Sequence, residues 1–173
     1  SKGNVVDPLE EVEKYGLDPF RYYLMREVTF GLDGDYSQKG RIQRINADLA
    51  NDLGNLLNRT IGMQKKYFDS AVVLEKEETA LEEEIYALWK TTVEDIDTYF
   101  EKVQFSEVLK AVWKFISRMN KYIDETAPWI LAKDLEKKSR LSTVMYNLVE
   151  SLYKIAVLIS PFMPETAQKM WSQ

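Results

Sequence analysis

The chain has 173 residues, 45% hydrophobic and 29% charged, enough for one core domain or one domain with a small attached module. With neither Cys nor His, it excludes disulfides, thiolate metal sites, thiol catalysis and His general-base catalysis; no apolar run reaches membrane-spanning length. The net charge of −5 argues against a generic phosphate-binding surface and leaves room only for a local, specific nucleic-acid site.

Asp7 followed by Pro8 predicts a capped helix start, and Gly16 predicts its end. The signal repeats at once, with Asp18 expected as cap and Pro19 as first helical residue before FRYYLMREV. Residues 28–36, VTFGLDGDY, carry β-branched and aromatic ends around Gly31 and Gly34 and predict an extended segment with a turn. Residues 1–36 are therefore expected to form a small α/β element, with too few strands to stand alone.

Ser37 is the expected cap of a long helix running to about Phe68. Ile42, Ile45, Leu49, Leu53, Leu56 and Leu57 recur at three- and four-residue steps and predict a single core stripe. Gly40, Gly54 and Gly62 lie inside it, each costing about 1 kcal/mol against Ala, which predicts a kink or a close packing contact. The stretch DSAVV breaks the pattern. A second helix follows over about 77–102, its acidic first turns suited to the helix dipole. A third runs from Ser106 to near Ala127, where Pro128 disfavours helical geometry in the residue before it. A fourth covers about 140–159, SPFMPE ends it, and ETAQKMW begins another. The expected fold class is mainly α, an antiparallel helical bundle over 37–173 with the small α/β element at its N-terminus.

Few residues are equipped for chemistry. There is no GxxxxGK or GxGxxG loop, and the carboxylate pair Asp95 and Asp97 falls on a solvated face. Asn55 and Arg59 stack one turn apart, about 100–140° from the centre of the long helix's stripe, so they occupy its flank. Spacing alone leaves two readings open: a polar pair that grips the edge of a ligand, or a solvated flank. Trp129, held by Pro128 at a helix end, is either a stacking platform for a base or part of the bundle top. Trp89 and Trp113 fall on core stripes, and Trp171 is undecided. The basic residues gather in three places: Lys39, Arg41 and Arg44; Arg59, Lys65 and Lys66; and Lys133, Lys137, Lys138 and Arg140. The acid is concentrated between Glu75 and Glu84.

Read together, SKGNVVDP, YGLDPFRYYLMRE, GLDGDYS, RINADLANDLGNLLNRTIGM, NKYIDETAPW and LISPFMPETA resemble, in order and spacing, the methionyl-tRNA synthetase family, most closely its bacterial form. The resemblance spans essentially the whole chain. It implies that Ser1 is the last residue of a KMSKS signature, that residues 1–36 close that loop and supply the stem-contact fold, and that residues 37–173 are the anticodon-binding bundle. It implies that Asn55 and Arg59 of the NxxxR motif hydrogen-bond the anticodon CAU, chiefly its first base, and that Trp129 of APW stacks on an anticodon base. The implied partners are the tRNA(Met) anticodon stem-loop and an N-terminal catalytic domain, with no membrane partner and a cytoplasmic setting. The whole enzyme would be a methionine–tRNA ligase using ATP with Mg. By this resemblance the chain is expected to lack the catalytic Rossmann domain, the KMSKS lysines and a C-terminal dimerisation domain, to be inactive alone and to hold no metal or cofactor. Two alternatives remain: the anticodon-binding domain of a related class I synthetase, from which the NxxxR and APW pairing points away, and a helical protein-interaction module with no RNA role.

Overall fold

The computed structural model describes residues 6–28, 38–69, 71 and 75–173. Ser1, the expected extended segment beyond Val28, the Ser37 cap and most of the DSAVV break lie outside the described residues. Among the described residues there is no strand, and Val28 leaves its helix in extended backbone.

Helix α1 (Pro8–Tyr15) starts as its sequence predicts. The Asp7 carboxylate accepts from the Leu9 N–H at 2.8 Å, Pro8 occupies the first turn, and Gly16 closes the helix at φ 88°. Helix α2 (Leu17–Glu27) corrects the expectation for Asp18 and Pro19. It begins at Leu17, so Asp18 lies inside the helix and cannot cap it. The buried Asp18 carboxylate instead accepts from the backbone N–H of Thr166 at 2.6 Å and from its hydroxyl at 2.7 Å. Thr166 stands in the first turn of α9 (Pro164–Trp171), where backbone N–H groups lack partners within the helix. Asp18 therefore caps a helix 148 residues away. Arg21 reinforces the junction, donating to the carbonyls of Phe162 at 2.9 Å and Pro161 at 2.8 Å.

The predicted long helix is continuous, but its register changes. Helix α3 (Gln38–Ile45) passes into nine residues of π-helix, Asn46–Gly54, before α4 (Asn55–Phe68) resumes the ordinary winding. A π-turn is wider than an α-turn and is seen mostly in short pieces, frequently at functional sites. Here its carbonyls take extra donors: Trp113 Nε1–H reaches the Asp48 oxygen at 3.1 Å, and the Asn120 amide reaches the Asp52 oxygen at 3.0 Å. Gly54 closes the segment. A Cβ there would sit 3.1 Å from the Leu49 carbonyl, so the predicted close contact is one with the helix's own wide turn. Gly62, in contrast, has open space where its Cβ would be. The register change also corrects the core stripe. Leu53 and Leu56 are buried, but Ile42 is exposed, and Asp48 is buried in its place with the Tyr22 hydroxyl donating to it at 2.6 Å.

Helix α5 (Ala80–Glu101) turns through residues 102–104 into the antiparallel α6 (Phe105–Thr126). Two short elements that periodicity did not predict follow, α7 (Pro128–Leu131) and a 3₁₀ turn (Leu135–Lys137), before α8 (Lys138–Ile159). Helix α6 is the centre of the bundle. Val108, Leu109, Val112, Phe115, Ile116, Met119 and Ile123 are buried along it and meet Val144, Met145, Leu148 and Ile155 of α8. Tyr22 of α2 joins the same core, with its ring centroid 4.5 Å from that of Trp113. Each buried aliphatic side chain contributes roughly 1.5–3 kcal/mol, so this apolar seam holds the helices in place. The polar rungs described below contribute direction.

Candidate nucleic-acid interface

Asn55 is the first residue of α4, directly after the π segment, and Arg59 follows one turn later. Facing them on α6 are Asn120 and Asp124, also one turn apart. The Asn55 amide donates to Asn120 Oδ1 at 3.3 Å, and Arg59 pairs with Asp124 at 2.6 Å. A third rung, from the Ser117 hydroxyl to Asp52 at 3.4 Å, precedes them. The partner of each residue is displaced by the same 65 positions, so α4 and α6 run side by side in the same direction. The ladder orients its members. Asn120 spends its amide hydrogen on the Asp52 carbonyl, which turns its Oδ1 toward Asn55 and leaves Asn55 Oδ1 and one N–H unused by that pair. Burial, then the nearby Asp48 charge, raises the pKa of Asp52, and the Ser117 hydroxyl opposes this.

Trp129 reaches the same place from the corner after α6. Thr126 ends the helix, and Ala127 takes left-handed backbone with φ 43° while its N–H bonds the Ile123 carbonyl at 3.0 Å. A left-handed Ala costs roughly 1–2 kcal/mol, which the surrounding structure must over-determine. Pro128 is buried and starts α7, and the N–H groups of Ile130 and Ala132 return to the carbonyls of Ala127 at 2.8 Å and Pro128 at 2.9 Å. This rigid corner leaves Trp129 41% exposed, outside the core, with the Arg59 guanidinium carbon 5.9 Å from its ring centroid. The ring is not part of the buried apolar core, the place the bundle-top reading would give it. Trp113 is buried, as its stripe predicts; Trp89 is half-buried against Phe115, and Trp171 is exposed beside Tyr153. Asp95 and Asp97 are exposed, as expected.

A buried polar knot braces the corner. Thr79 and Glu82 form a reciprocal capping box at the start of α5. Glu82 is fully buried, and it also accepts from the Tyr122 hydroxyl and, at 2.8 Å, from Arg140 of α8. Burial opposes its ionisation, but the hydrogen bonds from Arg140, Tyr122 and Thr79 outweigh that and hold its pKa down to about 2. Burial and the Glu82 carboxylate raise that of Tyr122. Tyr122 stands one turn before the corner, and the Thr126 hydroxyl donates to its carbonyl at 2.7 Å.

Sequence reasoning missed four parts of this arrangement. The T-x-x-E pattern of Thr79 and Glu82 was legible as a capping box. Asn120 stood out only as a polar residue on an apolar stripe. Asp124 and the π segment carried no local signal. Among the described residues no three His, Cys, Asp or Glu side chains converge as a metal site requires, and no helix is long and apolar enough to cross a membrane.

Comparison with known proteins adds the family. Residues 1–61 match the model of class I tRNA synthetases of the methionine type, and residues 82–173 match that of the anticodon-binding domain of tRNA ligase. Across its full length the chain is 57% identical to the methionine–tRNA ligase of Fusobacterium nucleatum and 52% identical to that of Bacillus subtilis. It spans 27% and 26% of their lengths, about a quarter of these relatives. It superposes on the methionyl-tRNA synthetase of Mycobacterium tuberculosis, solved in complex with methionyl-adenylate, with a TM-score of 0.93 and 37% identity, over 98% of this chain and 34% of that one. A helical bundle with this sequence pattern, matched over more than half its length by one family model, belongs to the anticodon-binding domain family of tRNA ligases, in the methionyl-tRNA synthetase branch of class I.

Proposed function

We propose that this chain reads the CAU anticodon of tRNA(Met) for a methionyl-tRNA synthetase, and that Asn55, Arg59 and Trp129 make the contacts. The observation that carries this reading is their convergence: two polar groups and one exposed aromatic face, 70 and 74 positions away in the chain, meet on one ridge. Single-stranded RNA loops are read through unstacked bases, whose edges take hydrogen bonds and whose faces stack on aromatic rings. Arg59 and Asn55 offer planar donors to an edge, and Trp129 offers a face. Their present partners are easily exchanged. Asp124 is 65% exposed, so its pair with Arg59 is worth roughly 0–1 kcal/mol, and the 3.3 Å amide contact of Asn55 is long.

Residues 1–36 are assigned to the KMSKS end and stem-contact fold, and residues 37–173 to the anticodon-binding bundle. The whole enzyme would act in the cytoplasm, joining methionine to tRNA(Met) with ATP. ATP and its Mg belong to the catalytic domain of such an enzyme. The described residues provide no carboxylate cluster that fits the metal.

The test is binding of the chain to a short hairpin carrying CAU and to one with the first base changed. Preference for CAU is expected, and equal affinity would sink the reading. Trp129→Ala should lose about 1–3 kcal/mol of hairpin affinity with the melting transition kept, because the ring lies outside the core. A variant that melts far below the parent would return Trp129 to a structural role.

A further inference from the structure

Two basic groups that are far apart in the sequence meet in space. Lys66 ends the basic run of α4, and Lys138 begins α8. They line one groove of about 310 Å³ with Tyr67, Leu131, Asp134 and Leu135. Leu131 is two residues beyond Trp129, so the groove opens next to the base-stacking corner. The other wall continues the reading face itself. At about 100° per residue, Asn55, Arg59, Gly62 and Lys66 all fall within roughly 60° of one another on α4. Gly62 leaves that strip bare between Arg59 and Lys66, with nothing within 4 Å of where a Cβ would be.

The two lysines are also electrostatically available. Both are exposed and neither has a carboxylate partner among the described residues; the Lys66 ammonium lies 5.4 Å from the centroid of the Tyr67 ring, which lines the same groove. The acid in the groove, Asp134, is engaged: its Oδ1 accepts from the Glu136 N–H at 3.0 Å, and its Oδ2 lies 3.9 Å from the Lys137 ammonium. In a chain of net charge −5, two cations without carboxylate partners beside the reading site favour an anionic strand locally.

We propose that this groove is a phosphate track: Lys66 and Lys138 hold the sugar–phosphate backbone of the RNA strand whose bases meet Asn55, Arg59 and Trp129. The inference rests on the anticodon reading and extends it to the strand's backbone. Such contacts position a strand without reading its sequence, so they have a signature that base contacts lack. Each neutralised phosphate releases counterion, which gives a single strand a slope of about −0.7 in log affinity against log salt.

The experiment compares the full chain with the double variant Lys66→Gln, Lys138→Gln, binding CAU and first-base-changed hairpins over a salt series. A second double variant, Lys90→Gln with Lys169→Gln, makes the same charge change elsewhere. Loss of two phosphate contacts should flatten the slope by about 1.4, so that between about 50 and 200 mM salt the parent loses about sevenfold more affinity than the variant. The ratio between the two hairpins should stay that of the parent, and the control variant should keep the parent's slope. An unchanged slope, an equal effect in the control, or a loss confined to the CAU hairpin would overturn the track. If the parent binds both hairpins equally but the groove variant still flattens the slope, the base-reading assignment fails and the track stands. If the parent binds neither hairpin, both fall.

Discussion

Replacing Glu82 by Gln removes the one charge on which the start of α5, the end of α6 and the start of α8 all converge. In the folded chain that carboxylate is fully buried, accepts from Thr79, Tyr122 and Arg140, and has its pKa held down to about 2 from an ordinary 4.5. Holding the carboxyl that far below its ordinary value corresponds to about 3 kcal/mol of stability once the group is ionised in both states. The sign follows from the depressed folded value: the contribution is complete above the unfolded pKa near 4.5 and is lost as pH falls toward 2. Urea unfolding of the parent and Glu82→Gln between pH 7 and pH 2 measures it directly. The variant should be less stable by about 3 kcal/mol at neutral pH, by about half that at pH 3, and by little at pH 2. Subtracting the variant at each pH removes the acid sensitivity of the other carboxylates. A gap that stays constant from pH 7 to pH 3 would refute the reasoning, because it would show that Glu82 contributes through shape and not through its charge.

Two further substitutions probe features that position the site. Asp18→Ala should destabilise the chain by about 1–2 kcal/mol, because it leaves the first-turn N–H of α9 without its buried acceptor. Asp18→Asn should recover part of that loss, and an Ala variant equal to the parent in denaturant midpoint would dismiss the capping role. Gly54→Ala tests the π segment. Propensity alone favours Ala by about 1 kcal/mol, but its Cβ would press on the Leu49 carbonyl at 3.1 Å. The expected outcome is no gain in urea stability, together with weaker preference for the CAU hairpin as Asn55 is turned out of register. A gain of the full 1 kcal/mol would show that the wide turn is not held by its surroundings.

What could be read from the chain alone was whatever is decided within a few residues. Asp7, Pro8 and Gly16 bound α1 because a cap, a fixed φ and a left-handed closure act on adjacent backbone groups. The apolar spacing of α5, α6 and α8 placed those helices to within a few residues, since a helix that buries one face must repeat at 3.6. Pro128 placed the corner, and the motif pattern singled out Asn55, Arg59 and Trp129. Their flank position was legible, but whether they faced anything was not. That depended on α4 and α6 lying parallel, so that Asn120 and Asp124 come opposite them across 65 residues, and on the αL turn at Ala127, which swings Trp129 outward over Arg59. The π register that sets where Asn55 points is held by Trp113 and Asn120, side chains that no local pattern ties to the helix they brace. Asp18 is the simplest case. Its residue type announced a cap, and sequence assigned it to its own helix, but backbone donors without partners are chemically alike wherever they occur, and only packing decided that those of α9 would meet it.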